Sequence, residues 1–230
     1  MGRGEVRDAS ELKLWGPKWA RRVGQALAYG YWNTTVYGRE SFPATGPVIV
    51  ASNHIGVVDG PLVFGVLPRD SYFMVKKEFF TSKLGFLMDW AGQIPVDRAN
   101  GRTALTIGKE LLDDGRVVGI FPEGHRGAGR ADTVKAGVAW LAVHTGAPIV
   151  PAACLGTRPA GASVGYVPRP RAKLHVVLDE PFQVGVTGTG RQAVTDAIEV
   201  IAAKMQAHVA HAVDVTGVAL PGDAGRRMER

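Results

Sequence analysis

A histidine and an aspartate lie five residues apart in the stretch 52–59, at His54 and Asp59. An imidazole beside a carboxylate is the minimal general-base pair, because the carboxylate can fix the ring tautomer and stabilise the imidazolium once a proton is taken. A structural interpretation is also open, in which Asp59 caps the following helix, Pro61 lies in its first turn and His54 is a turn residue. The pair alone does not decide between the two.

A second group of chemically capable side chains, Glu123, Gly124, Arg126 and Arg130, follows an apolar run at residues 117–121. The run is typical of a buried strand, and loops at the carboxyl ends of strands form the sites of α/β proteins. Glycines let backbone amides approach an anion, and guanidinium groups donate hydrogen bonds that suit phosphate. The alternative is a polar turn with solvated charges.

Two further polar positions follow short extended segments. Asp97 and Arg98 come directly after residues 93–96, and Lys76 follows the apolar residues 72–75. A surface ion pair without function is the default interpretation of an adjacent Asp and Arg. The position of Asp97 and Arg98 after a predicted strand also fits a role in the site.

The chain has few residues suited to a metal or a nucleotide cofactor. The six histidines are scattered and Cys154 is the one cysteine, so we expect no metal site and no disulfide within the chain. Neither the Gly-x-Gly-x-x-Gly pattern of dinucleotide sites nor the Gly-x-Ser-x-Gly elbow of serine hydrolases is present. We therefore expect neither a bound metal nor a dinucleotide cofactor.

Apolar runs and amphipathic segments alternate along the chain. Strands are predicted at residues 48–51, 72–75, 93–96, 117–121, 149–154 and 172–178. Helices are predicted at residues 61–67, 103–112, 134–144 and 189–211. This alternation predicts an α/β fold with a mostly parallel central sheet flanked by helices.

The N-terminal residues predict an amphipathic helical segment that associates with a membrane. Residues 11–38 place aromatic and basic side chains, among them Trp15 and Trp19, near helical spacing, and this composition is typical of an interfacial helix. An ordinary helix packed on the domain is the alternative. We expect three parts, which are this segment at residues 1–40, a catalytic domain at residues 41–215 and a flexible tail at residues 216–230.

Charge and apolar content restrict the partners. The 230-residue chain carries a net charge of +6, which suits anionic lipid or a phosphorylated substrate. Its aromatic residues cluster in apolar stretches such as residues 79–90, so we expect no nucleic-acid partner. That stretch could be core, the wall of an acyl-chain groove or a membrane-facing patch.

The expected location of the protein depends on whether the sequence contains a signal peptide or a membrane span. The charged residues 1–11 contain no apolar core segment, so no signal peptide is expected, and no stretch approaches the ~20 apolar residues of a membrane span. We therefore expect a peripheral protein on the cytoplasmic face of the cell membrane.

Four ordered stretches resemble the sequence blocks of the glycerolipid acyltransferases, most closely those of the bacterial 1-acyl-glycerol-3-phosphate acyltransferases. They are Asn53-His54-(four residues)-Asp59, residues 92–98, residues 121–126 and residues 149–151. The resemblance implies transfer of a fatty acyl group from acyl-CoA or acyl carrier protein to the free hydroxyl of 1-acyl-glycerol 3-phosphate. It is more specific to the superfamily than to the acceptor.

The resemblance also implies roles for individual residues. His54 would be the general base and Asp59 would orient it, without a metal or an acyl-enzyme intermediate. The substrate-binding residues that it implies are Asn53, Lys76, Arg98, Glu123, Gly124 and Arg126. Beside a phosphate dianion, Glu123 is expected to hold Arg126 or Arg98, or to accept a hydroxyl hydrogen bond.

One position departs from the family pattern and leaves the acceptor open. Family members most often have a small hydroxyl residue where this chain has His125. Another lysolipid or glycerol 3-phosphate is therefore an alternative acceptor. Two other functions also fit the sequence, namely a peripheral membrane-binding protein without catalysis and an acyl-CoA hydrolase in which water replaces the alcohol.

Overall fold

Seven strands form one sheet in the computed structural model, which describes residues 4–82, 85–97 and 101–223. The strands are β1 (Asn33–Tyr37), β2 (Val48–Ser52), β3 (Ser71–Lys76), β4 (Ile94–Val96), β5 (Val117–Ile120), β6 (Ile149–Leu155) and β7 (Lys173–Leu178). Their order across the sheet is β1-β7-β6-β2-β5-β3-β4, and all neighbours are parallel except the antiparallel β6–β7 pair. The predicted α/β fold with a mostly parallel central sheet is confirmed.

Helices cover both faces of this sheet. They are α1 (Gly16–Gln25), α2 (Asp59–Val66), α3 (Lys77–Phe80), α4 (Gly85–Trp90), α5 (Arg102–Asp113), α6 (Ala136–Thr145) and α7 (Arg191–Thr216). One core cluster joins the sheet to α5, α6 and α7, and a second joins it to α2 and the segment that follows α1. Within the described residues, none of the helices has the length and apolar character needed to cross a membrane.

The central strand β2 shows how the sequence positions the site. Ile49 and Ala51 belong to the core that contains α5, α6 and α7, whereas Val48 and Val50 belong to the core that contains α2. Successive side chains of a strand point to opposite faces, so a continuous apolar run fits a strand that is covered on both sides. Because all four side chains are fully buried, the carboxyl end of β2 and the turn after it are held firmly in place.

The N-terminal region differs from the helix predicted at residues 11–38. Helix α1 ends at Gln25, a π-helical turn covers residues 26–31, and the chain then enters β1. Strand β1 pairs in parallel with β7, so the end of the predicted helix is in fact an edge strand of the main sheet. Its β-branched residues 34–36 favour extended backbone. The predicted boundary at residue 40 and the predicted membrane role of residues 1–40 stay predictions.

The C-terminal helix is longer than predicted. Helix α7 continues to Thr216 and ends at Gly217, whose φ of +66° is a left-handed conformation that glycine adopts without strain. Leu220 is buried, so the residues directly after α7 pack on the protein, whereas the sequence predicts a flexible tail from residue 216. Residues 224–230 lie outside the described residues.

Candidate active site

The carboxyl ends of five strands meet at one edge of the sheet. Residues of interest at these ends are His54 after β2, Glu123 after β5, Lys76 in β3, Asp97 after β4 and Thr157 after β6. These five strands are parallel, so their carboxyl ends point the same way, and α/β proteins bind ligands at this edge. Apart from Arg98, which lies outside the described residues, the residues that the sequence analysis selects therefore lie along one edge.

His54 and Asp59 are in direct contact. Nδ1 of His54 lies 2.9 Å from Oδ2 of Asp59, and the side chain of Asp59 is fully buried while that of His54 is 15% exposed. A carboxylate accepts hydrogen bonds, so Nδ1 carries the proton and the lone pair of the neutral ring lies on Nε2. The imidazole stacks on Phe121, with 4.1 Å between ring centroids. This arrangement can accept a proton at Nε2.

The carboxylate of Asp59 also organises the turn of residues 53–59, the His–Asp turn. Its Oδ2 accepts hydrogen bonds from the backbone N–H groups of Ile55 and Gly56, both at 2.7 Å, and its Oδ1 accepts one from Oγ1 of Thr157 at 2.6 Å. Asp59 is the first residue of α2, where the helix dipole favours a negative charge. Its hydrogen bonds thus tie the turn before the helix and orient His54, instead of capping the helix.

Asn53 is a clamp between neighbouring chain segments. It is fully buried, and its Nδ2 donates to the carbonyls of Gly129 and Cys154 while its Oδ1 accepts from the N–H of Cys154. These contacts use the side chain within the protein, so a position in contact with substrate, as the sequence predicts, would need them to be broken. The buried thiol of Cys154 has a pKa raised well above its ordinary value by burial, as expected of a structural cysteine.

Glu123 joins the loop after β5 to the His–Asp turn. Its carboxylate is almost fully buried and accepts a hydrogen bond from the backbone N–H of Ala131 at 3.1 Å, and the backbone N–H of His54 lies near it. Burial raises the pKa of Glu123 above its ordinary value, and these two backbone donors partly oppose that shift. The sequence predicts that Glu123 holds Arg126 or Arg98, or accepts a hydroxyl hydrogen bond. Among the described residues, the backbone N–H of Ala131 is hydrogen-bonded to its carboxylate.

The glycines of this loop shape the backbone. Gly124 has a φ of +69° and donates its N–H to the carbonyl of Phe121, and Gly127 donates its N–H to the carbonyl of His54. Both amides, which the sequence analysis expects to face an anion, are therefore used within the protein. His125 is exposed, and its Nδ1 donates to the carbonyl of Glu123 at 2.9 Å.

Arg126 is a cation of this loop with an unpaired donor in the part of the chain that the structure describes. It is half-buried, its guanidinium lies 5.3 Å above the ring of Phe79, and its Nε is shielded from solvent without a hydrogen-bond partner among the described residues. Burial lowers the pKa of Arg126, and the negative charge of Asp59 opposes that change. A shielded guanidinium that interacts with Asp59 and keeps a free N–H is suited to bind an anionic substrate next to His54.

Two residues of this edge are absent from the sequence prediction. Thr157 is fully buried, and Arg158 next to it donates from Nη2 to the carbonyl of Gly127 at 2.6 Å. Both lie in the loop just after β6, as His54 lies just after β2. The position after a parallel strand is thus the signal that could have found them.

Exposed aromatic side chains occur in the N-terminal segment and in the stretch 79–90, and we call them together the aromatic rim. It consists of Trp15, Phe79, Phe86 and Trp90, which are 55%, 38%, 40% and 53% exposed. The rings of Trp15 and Trp90 meet edge to face with centroids 6.2 Å apart, and Nζ of Lys13 lies 5.2 Å from the Trp90 centroid. The N-terminal segment and the apolar stretch 79–90 therefore meet at Trp15 and Trp90.

The described residues contain no group of three or more His, Cys, Asp or Glu side chains that could hold a metal ion. The site consists instead of a proton-accepting imidazole, a buried carboxylate that orients it and a guanidinium beside them.

Comparison with known proteins gives this site a context. The family model described as Acyltransferase matches residues 33–155, just over half of the chain. The 1-acyl-sn-glycerol-3-phosphate acyltransferase of Bacillus subtilis (strain 168) is 35% identical over 150 residues, which are 64% of this chain and 72% of that protein. The human 1-acyl-sn-glycerol-3-phosphate acyltransferase alpha is 34% identical over 122 residues, which are 50% of this chain and 43% of that protein.

A solved structure has the same fold. The crystal structure of the 1-acyl-sn-glycerophosphate acyltransferase of Thermotoga maritima superposes with a TM-score of 0.62 at 22% sequence identity. The match covers 88% of this chain and 84% of that one. The family model, together with the Bacillus relative, shows that the chain belongs to the acyltransferase family.

Proposed function

We propose that the protein transfers a fatty acyl group from acyl-CoA or acyl carrier protein to the free hydroxyl of 1-acyl-glycerol 3-phosphate. The observation that carries the proposal is the contact between Nδ1 of His54 and the buried carboxylate of Asp59. The names of the Bacillus and human relatives support the acceptor. The acyl donor acts as a co-substrate, and no further cofactor is needed for the chemistry proposed below.

In this reaction His54 is the general base. An alcohol is too weakly acidic to attack at neutral pH, so Nε2 of His54 takes the hydroxyl proton as the oxygen attacks the thioester carbonyl carbon. The new carbon–oxygen bond forms, the carbon–sulfur bond breaks, and the proton passes from the imidazolium to the leaving thiolate. Asp59 stabilises the imidazolium through Nδ1, and because a thioester is already activated, no acyl-enzyme is required.

Cationic side chains on the β5, β3 and β4 side of His54 bind the acceptor phosphate in this proposal. Arg126 contributes the guanidinium beside the catalytic pair. Lys76 at the end of β3 and Arg98 beyond β4 complete the set, the latter outside the described residues. A phosphate monoester carries almost two negative charges at neutral pH, which a fork-shaped guanidinium matches well.

The remaining predicted binding residues serve this site indirectly in the proposal. Asn53 and Glu123 hold the loops that carry His54 and Arg126, through the hydrogen bonds described above. Gly124, with its positive φ, permits the tight turn between Glu123 and Arg126.

We also propose that the protein binds an anionic membrane surface peripherally through the aromatic rim. Trp and Phe side chains that are half exposed and flanked by Lys13 suit the headgroup region, where rings and cations are both stabilised. An acceptor with one acyl chain resides in a membrane. Phe79 of the rim lies under Arg126, so a lipid held at this end of the rim would reach the site without entering water. The cytoplasmic face of the membrane stays a prediction.

The test is a panel of acceptors with one acyl-CoA and with thiol release as the readout. The panel contains 1-acyl-glycerol 3-phosphate, glycerol 3-phosphate and phosphate-free lysolipids. We expect fast release with 1-acyl-glycerol 3-phosphate, and a loss of about 10²- to 10⁴-fold in kcat for His54→Ala, because the general base is removed. His211→Ala, the same substitution at an exposed histidine of α7, should leave the rate unchanged.

Three outcomes would contradict this proposal in different ways. Thiol release that does not depend on any acceptor would indicate a hydrolase. Release with a different acceptor would keep the transferase and change its substrate. Liposome binding without release, and without an effect of His54→Ala, would indicate a membrane-binding protein without catalysis.

A further inference from the structure

Thr157 binds the oxygen of Asp59 that His54 does not use. Its Oγ1 donates to Oδ1 of Asp59 at 2.6 Å, and both side chains are fully buried. The two residues are 98 positions apart in the sequence, and Thr157 stands two residues beyond the end of β6. The contact is therefore a product of the sheet, which places β6 next to β2.

The hydrogen bonds to Asp59 divide unevenly between its two oxygens. Oδ2 accepts from Nδ1 of His54 and from the N–H groups of Ile55 and Gly56. In the part of the chain that the structure describes, Thr157 alone is hydrogen-bonded to Oδ1. A carboxylate held at both oxygens cannot rotate about its Cβ–Cγ bond without breaking several charge-assisted hydrogen bonds.

Two glycines allow this close approach. Gly156 has a φ of +83°, which turns the chain sharply after β6. A Cβ at Gly56 would lie 3.3 Å from the carbonyl oxygen and 3.4 Å from Oγ1 of Thr157, closer than side-chain carbons normally pack. The backbone of the His–Asp turn and that of the β6 loop therefore meet without intervening side chains.

We propose that Thr157 is a positioning residue for the His54–Asp59 pair. By holding Oδ1, it keeps Oδ2 aligned with Nδ1 of His54, and so keeps Nε2 as the nitrogen that accepts the proton. The inference rests on the proposed function, since it assigns Thr157 a role in the same proton transfer. Thr157 is fully buried, so it acts through Asp59 and not through contact with a substrate.

Thr157→Val removes the hydroxyl and keeps the shape of the side chain. We expect kcat to fall roughly 10- to 100-fold, because a hydrogen bond to a buried charge is lost, while KM for 1-acyl-glycerol 3-phosphate stays unchanged. Thr157→Ser keeps the hydroxyl and should return kcat close to the wild-type value. A raised KM with unchanged kcat, or a Ser variant as slow as the Val variant, would overturn the proposal.

A matched control separates this effect from general damage to the sheet. Thr34→Val makes the same change at a buried threonine of β1, whose Oγ1 has no hydrogen-bond partner among the described residues. We expect it to keep the wild-type kcat, and thermal unfolding shows whether each variant is folded. If Thr157→Val does not fold, Thr157→Ala, which leaves room for a water molecule, is compared with Thr157→Ser by the same criteria.

A double-mutant cycle tests whether Thr157 acts through Asp59. In an Asp59→Asn background, Thr157→Val should have little further effect on kcat, because the group that it positions is already changed. A full additional loss in that background would overturn the proposal. If His54→Ala leaves acyl transfer intact, the proposed function fails; if His54→Ala abolishes transfer but Thr157→Val does not slow it, this inference alone fails.

Discussion

The His–Asp turn and the aromatic rim differ in how far their side chains are buried and hydrogen-bonded within the protein. In the turn, Asn53 and Asp59 are fully buried, and each makes several hydrogen bonds within the protein. At the rim, Trp15 and Trp90 are more than half exposed. Arg126, which lies over Phe79 at the edge of the rim, has an Nε without a partner among the described residues.

The difference corresponds to two tasks. A general base needs a fixed orientation, and fixed orientation comes from side chains whose hydrogen bonds are already satisfied in the folded protein. A group that binds an anion or a membrane must keep donors or apolar surface available, because these are used only when the ligand arrives. Changes in the turn should therefore affect kcat, and changes at the rim should affect binding.

Among the groups that bind ligands, the largest effect is expected from Arg126→Gln. Loss of a partly buried guanidinium should raise KM for 1-acyl-glycerol 3-phosphate roughly 10- to 100-fold, because a charge-assisted hydrogen bond to phosphate is lost, and should change kcat less. Steady-state kinetics over a range of acceptor concentrations measures both parameters. Arg126→Lys keeps the positive charge but not the two parallel N–H donors of the guanidinium, so its KM should lie between those of the wild type and Arg126→Gln.

Arg130 provides the control in the same loop. Its Nη2 donates to the carbonyl of Gly222 in the segment after α7, so Arg130→Gln should leave KM for the acceptor nearly unchanged. If Arg126→Gln lowered kcat and left KM alone, Arg126 would belong functionally with the His–Asp turn, and the contrast between the two regions would not hold.

The sequence predicts the fold where a strand has a recognisable local pattern. The continuous apolar runs of β2 and β6 predict strands of a parallel sheet that is covered on both faces, and the structure has them there. Strand β1 was missed because the amphipathic pattern of α1 runs into it. Its partner, β7, lies about 140 residues further along the chain, and no local pattern reveals that pairing.

The site could likewise be predicted only where its residues are close together in the sequence. His54 and Asp59 lie in one strand–turn–helix unit, so their spacing allows contact, but the pair alone also fits a helix cap and a turn residue. Because a carboxylate suits a phosphate dianion poorly, the sequence predicts that Glu123 holds an arginine or accepts a hydroxyl, yet the fold brings the backbone N–H of Ala131 to its carboxylate. Thr157 carries no chemical signal of its own, and only the order of strands in the sheet places it beside Asp59.

A smaller effect is expected from the double substitution Trp15→Ser and Trp90→Ser. The two rings contact each other and face solvent, so their loss should weaken binding to anionic liposomes about tenfold or more without altering the fold. Co-sedimentation with vesicles measures the binding, and kcat on a water-soluble short-chain acceptor should be unchanged. This design is preferable to deletion of residues 1–38, which would also remove β1 from the sheet.

The control is Val167→Ser, which removes an equally exposed apolar side chain, at 56%, from the loop between β6 and β7. It should leave liposome binding unchanged. Binding that survives the double Trp substitution, or that falls equally with Val167→Ser, would show that the rim is not the membrane-binding surface.

The smallest effect is expected from Glu123→Gln, and it concerns stability. Burial raises the pKa of Glu123 in the folded protein, so the folded state holds this proton more tightly than the unfolded state. The free energy of unfolding of the wild type should therefore fall as pH rises from the ordinary pKa of 4.5 through the raised pKa. The Gln variant cannot ionise, so its stability relative to wild type should increase over that range, as urea unfolding at several pH values can measure. Gln keeps an oxygen for the backbone N–H groups, so KM for the acceptor should change little. A raised KM together with an unchanged pH dependence would instead place Glu123 in contact with the substrate, among the groups that bind it.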